Sequence, residues 1–149
     1  MNLVQELAPA LPGIEQLRLL MRTGRRPPIA ETLDFDLVEV GDGIAVFAGT
    51  PGPKFYNPIG SVHGGYAATL LDSACGCAAH TKLAAGQSYT TLELKVAYHK
   101  ALSAQTGLVR AEGRILSFGR RAAFAEARIV DAAGKLYASA TSTLLIITP

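Results

Sequence analysis

The period of this sequence changes once and then changes back, and that pattern narrows the folds open to it. From Gly65 to about Leu83 the chain has no proline and is rich in Ala and Leu, GYAATLLDSACGCAAHTKL. Ala67, Leu70, Leu71, Ala74, Cys77, Ala78 and Thr81 mark one broad face there, which predicts a helix of about five turns. On both sides the period is two. ETLDFDLVEV at 31–40 sets Leu33, Phe35 and Leu37 against Asp34 and Asp36. GDG at 41–43 marks a turn, and IAVFAGT reads as the second arm of a hairpin. After the helix, SYTTLELKVAYHKAL sets Leu92, Leu94, Val96 and Tyr98 against polar neighbours. QTGLVRAEGRILSF and RAAFAEARIVDA flank a turn at Gly119 and Arg120, and AAG at 132–134 leads into KLYASATSTLLIIT. One main helix set among strands joined by tight turns predicts an α+β domain with an antiparallel sheet.

The helix face is built of small residues, with Gly76 inside it. Glycine in a helix interior costs about 0.5–1 kcal/mol relative to Ala, and small side chains let a neighbour approach closely. A sheet covers one side of one helix, and 149 residues leave no second helical layer for the other. A second copy is therefore expected to complete the sheet or its edge, as a homodimer. GIEQLRLLMR at 13–22 places Ile14, Leu17, Leu20 and Met21 at helical spacing, and TGRRPP stops it. This predicts a short N-terminal packing helix and linker over 1–30, outside a main domain at 31–149. PGPKFYNPIGSV reads as an irregular loop.

Nearly half the residues are hydrophobic and 17% are charged, a composition that argues against disorder. A net charge of +2 without a basic block leaves no nucleic-acid footprint. Cys75 and Cys77 point in different directions on a helix, so no disulfide is expected between them. No His or Cys cluster has ligand spacing, so no metal is expected either. Two reduced thiols fit a cytoplasmic protein. MNLVQELAPALPG lacks a charged region followed by an apolar run, and no stretch reaches transmembrane length. Neither secretion nor membrane spanning is expected.

The chemistry concentrates in NPIGSVHGGYAATLLD, residues 57–72. Gly64 and Gly65 open the helix, where N–H groups are unpaired and the dipole is positive. Without Cβ atoms, those amides can receive a carbonyl oxygen, as an oxyanion hole does. The same dipeptide is also ordinary turn punctuation. Asp72 sits in an apolar run with no Lys or Arg three or four residues away. It is either a solvent-facing residue or a base or nucleophile held among apolar groups. Eight residues on one helix span about 12 Å. Gly64 and Asp72 of one chain therefore cannot bracket one carbonyl. Two antiparallel helices in a dimer can.

The ordered set Asn57, Gly60, HGG at 63–65, LLD at 70–72, TTLELKVAY at 90–98, GRR at 119–121 and DAAGKLYASATST at 131–143 resembles the hotdog-fold acyl-CoA thioesterases, in particular the phenylacetate-degradation (PaaI-like) branch. The likeness covers roughly residues 32–147. It implies a sheet wrapped around one long central helix, with the N-terminal helix as an addition. It also implies a homodimer, or a dimer of dimers. The substrate is then an acyl-CoA, with no other cofactor. Asp72 matches the catalytic carboxylate, as base for water or as nucleophile. The Gly64 amide matches the group that polarises the thioester carbonyl, with Gly65 beside it. Asn57 matches a position that holds the carbonyl or the water. A Ser or Thr on the strand after the helix orients that water, and either Thr91 or Thr90 fits. His63 is a base near neutral pH or, as the resemblance favours, a helix-entry residue. Arg120, Arg121 and Lys100 are candidates for the coenzyme A phosphates, or simply solvated charges. Ala101 stands where such proteins often carry Pro.

The resemblance implies hydrolysis of an aryl- or medium-chain acyl-CoA to free acid and coenzyme A. Two alternatives are a non-catalytic acyl-CoA sensor and an acyl-thioester hydratase. The sensor reading meets a complete Asn57, Gly64 and Asp72 set. Hydratases resemble a His–carboxylate pattern that this chain lacks. Phe55, Tyr56, Ile59 and Tyr66 are candidates for the acyl pocket or for the core.

Overall fold

The computed structural model describes residues 2–149. Three short helices lead the chain: α1 Leu3–Leu7, α2 Gly13–Thr23 and α3 Pro28–Leu33. Strands β1 Phe35–Gly41 and β2 Ile44–Gly49 follow, then a single 3₁₀ turn at Pro53–Phe55 and the long helix α4 Gly64–His80. The chain ends in β3 Ser88–Tyr98, β4 Val109–Phe118, β5 Ala122–Asp131 and β6 Leu136–Ile147. All six strands form one antiparallel sheet in the order β1-β2-β4-β5-β6-β3. The sheet wraps around α4 as in a hotdog fold.

Small residues explain how closely helix and sheet pack. Ala45, Gly113, Ala127 and Ala140 stand opposite one another across β2, β4, β5 and β6. This row runs under α4, and a Cβ on Gly113 would overlap the Ala74 carbonyl. Leu70, Leu71, Ala74 and Cys75 are fully buried, in one core with Val109, Ile129 and Leu144. Fully burying a Leu or Ile side chain stabilises by about 1.5–3 kcal/mol.

Two strand expectations are corrected. Residues 31–33 are helical, not extended. Pro28 occupies the opening turn of α3, where its fixed φ fits and its missing N–H is harmless. Asp34 then ends α3 at φ 55, in the left-handed region that Asp tolerates, and β1 starts at Phe35. The second correction is on β3. Its pairing with β6 slips between Thr91 and Glu93, so Leu92 is a bulge residue and stands 58% exposed. Leu94 and Val96 pack against the core. Leu92 does not share their face.

α2 packs against the end of α4. Gly13 N–H donates to Leu83 O at 2.9 Å, and a Cβ on Gly13 would overlap the His80 carbonyl. Gln16 is buried; its Oε1 lies 2.8 Å from His80 Nε2, while its Nε2 donates to Ala8 O at 2.8 Å. Among the described residues no helix is long and apolar enough to cross a membrane.

Candidate active site

The chain enters α4 under tight local control. His63 N–H donates to Phe55 O at 2.7 Å, and Val62 N–H donates to Leu102 O at 3.1 Å. His63 is the N-cap, its Nδ1 accepting the Gly65 N–H at 2.8 Å. Both glycines leave room for a side chain that packs close against them. A Cβ on Gly64 would lie 2.9 Å from the Tyr98 hydroxyl, and one on Gly65 would lie 2.9 Å from His63 Nδ1. The Gly64 N–H has no acceptor among the described residues. Gly64 lines a cavity of about 340 Å³ together with Ser61, His63, Tyr98, Lys100 and Leu102.

Asp72 lies two turns further along α4. Leu70, Leu71 and Ala74 are fully buried, whereas Asp72 keeps partial exposure. The apolar run around it in sequence is therefore not a closed apolar shell in space, because α4 rotates by about 100° per residue. Its Oδ1 accepts from the Thr91 hydroxyl at 3.1 Å. Thr91 is half-buried on β3, while Thr90 is exposed. Among the described residues Asp72 has no ion-pair partner within 4 Å. Burial, and then the Asp72 charge, pushes the Cys75 and Cys77 thiols up to about 12. Both stay protonated near neutrality, which disqualifies them as nucleophiles.

The other expected residues divide between the two ends of the sheet. Asn57 is engaged in its own loop: Oδ1 accepts from Ile59 N at 3.1 Å and Ser61 N at 3.2 Å, and Nδ2 donates to Ser61 Oγ at 3.1 Å. Lys100 lines the Gly64 cavity, and the adjacent Lys135 ammonium holds it below its ordinary value. Arg120 and Arg121 are exposed on the β4–β5 hairpin. The row Ala122, Leu145 and Thr90 puts that hairpin at the Asp72 end. Tyr98, beside Gly64, marks the opposite end. Of the acyl-pocket candidates, Phe55 and Tyr66 stack in the core at 4.8 Å, the Tyr56 hydroxyl accepts from Ala104 N, and Ile59 is 87% exposed.

Gly64 and Asp72 thus share one helix, about 12 Å apart along its axis. One end offers an unpaired amide beside a cavity. The middle offers a carboxylate held by a hydroxyl. Among the described residues no group of three His, Cys, Asp or Glu side chains is placed to hold a metal. Two neighbours had no sequence signal as site residues: Tyr98, whose hydroxyl donates to Gly64 O at 2.7 Å, and Lys135. Each depends on contacts between segments far apart in sequence.

A profile of the thioesterase superfamily matches residues 59–138, more than half of the chain. The match includes the α4 entry, Asp72 and Thr91. A curated relative, the 1,4-dihydroxy-2-naphthoyl-CoA hydrolase of Listeria monocytogenes serotype 1/2a (strain 10403S), is 29% identical over 118 residues, covering 79% of this chain and 94% of its own. Conserved protein PA5202 from Pseudomonas aeruginosa superposes with a TM-score of 0.77 at 30% identity, over 85% of this chain and 98% of its own. A phenylacetic acid degradation-related protein from Ralstonia eutropha JMP134, described as a putative thioesterase, gives 0.76 at 28%, over 87% and 97%. The E. coli PaaI protein from the phenylacetic acid degradation operon gives 0.78 at 20%, over 91% and 94%, a likeness of fold.

Proposed function

The chain belongs to the thioesterase superfamily and is a thioester hydrolase; from that premise we propose that it cleaves an aryl- or medium-chain acyl-CoA at a site shared by two protomers, with Asp72 of one facing the Gly64 amide of the other. The observation that carries this reading is the placement of a Thr91-bound carboxylate and an unpaired amide on one helix, too far apart to act together within one chain. Two α4 helices side by side and antiparallel bring each carboxylate to the other's N-terminus, making two sites per dimer.

In the simpler course, the Asp72 carboxylate takes a proton from water as the water oxygen adds to the thioester carbon. The carbonyl oxygen gains charge against the Gly64 N–H and the α4 dipole. Collapse of that adduct breaks the C–S bond. The departing sulfur takes the proton from Asp72, leaving free acid and coenzyme A. In the nucleophilic course, Asp72 itself adds to the carbon, and the C–S bond breaks to release the coenzyme A thiolate and leave an anhydride. Water hydrolyses that anhydride to the free acid and the Asp72 carboxylate, releasing the proton the thiolate takes up. Thr91 holds the carboxylate in either case, and His63 caps the helix that presents the amide. Asn57 shapes the 57–61 loop and keeps one Nδ2 hydrogen for a carbonyl or a water. Lys100 from the Gly64 end and the partner's Arg120–Arg121 hairpin converge on the coenzyme A phosphates. The aryl option is supported by the relative whose name specifies a dihydroxynaphthoyl-CoA. Free thiols at Cys75 and Cys77 fit a reducing, cytoplasmic setting.

Thiol release from a panel of aryl and aliphatic coenzyme A esters tests the reading. Asp72→Asn should abolish most turnover, by at least about a hundredfold in kcat, with an unchanged fold by circular dichroism. Hydrolysis at the wild-type rate by that variant defeats the assignment.

A further inference from the structure

Tyr98 closes β3, and its side chain reaches back over the first residue of α4. The hydroxyl donates to Gly64 O at 2.7 Å, and the ring would clash with any Cβ on Gly64. The amide of the same peptide unit, Gly65 N–H, donates to His63 Nδ1 at 2.8 Å. The Gly64–Gly65 peptide is therefore gripped at both ends, by a phenol on its carbonyl and an imidazole on its N–H. Donation to the carbonyl polarises this peptide and strengthens the Gly65 N–H bond to His63, so each contact tightens the other. An accepting Nδ1 also places the hydrogen of the neutral His63 ring on Nε2.

The phenol bond is not needed to satisfy the Gly64 carbonyl. As the first residue of α4, Gly64 already has a helical donor four residues on. Nor is Tyr98 a core residue: it is 56% exposed and lines the cavity beside Gly64. What a Gly-Gly entry lacks is stiffness, because two residues without Cβ atoms leave the backbone its widest choice of directions. An oxyanion donor needs the opposite. Displacing a reacting group by about 1 Å can cost up to about 10² in rate.

We propose that Tyr98 is a positioning residue for thioester hydrolysis: its hydroxyl, together with His63, locks the Gly64–Gly65 peptide and so restricts the backbone of Gly64, whose own N–H, on the adjoining His63–Gly64 peptide, is aimed at the substrate carbonyl. The proposal rests on the reading of Gly64 as oxyanion donor. Tyr98 itself does not touch the reacting atoms.

Tyr98→Phe keeps the ring over Gly64 and deletes only the hydroxyl. With the best ester of the panel, kcat should fall about tenfold while KM stays within about twofold. The melting temperature should move by only a few degrees. A kcat within twofold of wild type overturns the proposal, whether or not the melting temperature drops. A rise in KM alone also overturns it, since Tyr98 is then only a wall of the cavity. A wild-type chain that hydrolyses no ester removes the thioesterase reading and this inference with it. A wild-type chain that turns over beside an equally fast Tyr98→Phe removes the inference alone.

Discussion

Thr90 and Thr91 are one step apart on β3, and one step chooses the face of a sheet. The chemistry expected of the position suits both residues, so the composition of the strand does not separate them. The bulge at Leu92 resets the alternation, leaving Thr91 toward α4 and Thr90 outward. Only Thr91 meets Asp72. Thr91→Val preserves shape and removes the hydroxyl. A hydrogen bond to a charged group contributes about 1.5–3 kcal/mol, and water can replace part of it because Asp72 is half-buried. The expected fall in kcat is therefore about tenfold. Thr90→Val should stay within about twofold. Steady-state kinetics of the two variants decide the matter, and equal losses would sink the role given to Thr91.

Among the elements, legibility followed period length. α4 stood out because 17 residues of helical period sit among strands, and the hairpins after it because their turns carry Gly. Asp72 and the Gly-Gly entry were legible as exceptions to that pattern. α3 was hidden, because Leu33, Phe35 and Leu37 alternate whether the first of them ends a helix or starts a strand. The α2–α4 joint was also hidden. It depends on Gln16 meeting His80 across 64 residues, and no local rule reports such a contact. That joint has a measurable signature. Burial lowers His80 from 6.5 to about 4, and its ring packs edge-on to Tyr89, whose phenol burial keeps neutral. A histidine held neutral in the fold stabilises it fully above the unfolded value. The contribution is lost as pH falls from about 6.5 toward 4, because the unfolded chain takes the proton first. The shift corresponds to roughly 3 kcal/mol. Urea melts of wild type and His80→Gln from pH 7 to pH 4 should therefore converge or cross, with wild type losing more. Parallel curves would show that His80 does not titrate as its burial requires.

For the whole molecule, the sheet and the site make the same demand. β3 is an 11-residue edge strand carrying Thr91, and it leaves one row of backbone groups open to pairing. On the helix it flanks, Gly64 at the N-terminus and Asp72 in the middle lie about 12 Å apart. A second copy related by a two-fold axis answers both. Complementation tests this directly. One chain carries Asp72→Asn. The other carries Gly64→Pro, which removes the N–H and, through its added Cβ, also displaces the Tyr98 ring from Gly64, while proline's fixed φ remains acceptable at the first helical position. His63, at φ −58 and ψ 136, already has the extended backbone that a following proline prefers. Each variant alone should be nearly inactive. When equal amounts are unfolded together and refolded, half the dimers are mixed. Each mixed dimer pairs an intact Asp72 with an intact Gly64 at one of its two sites. Activity should return to about a quarter of wild type. A site contained within single protomers regains nothing under the same treatment, because every chain in the mixture lacks one of the two groups.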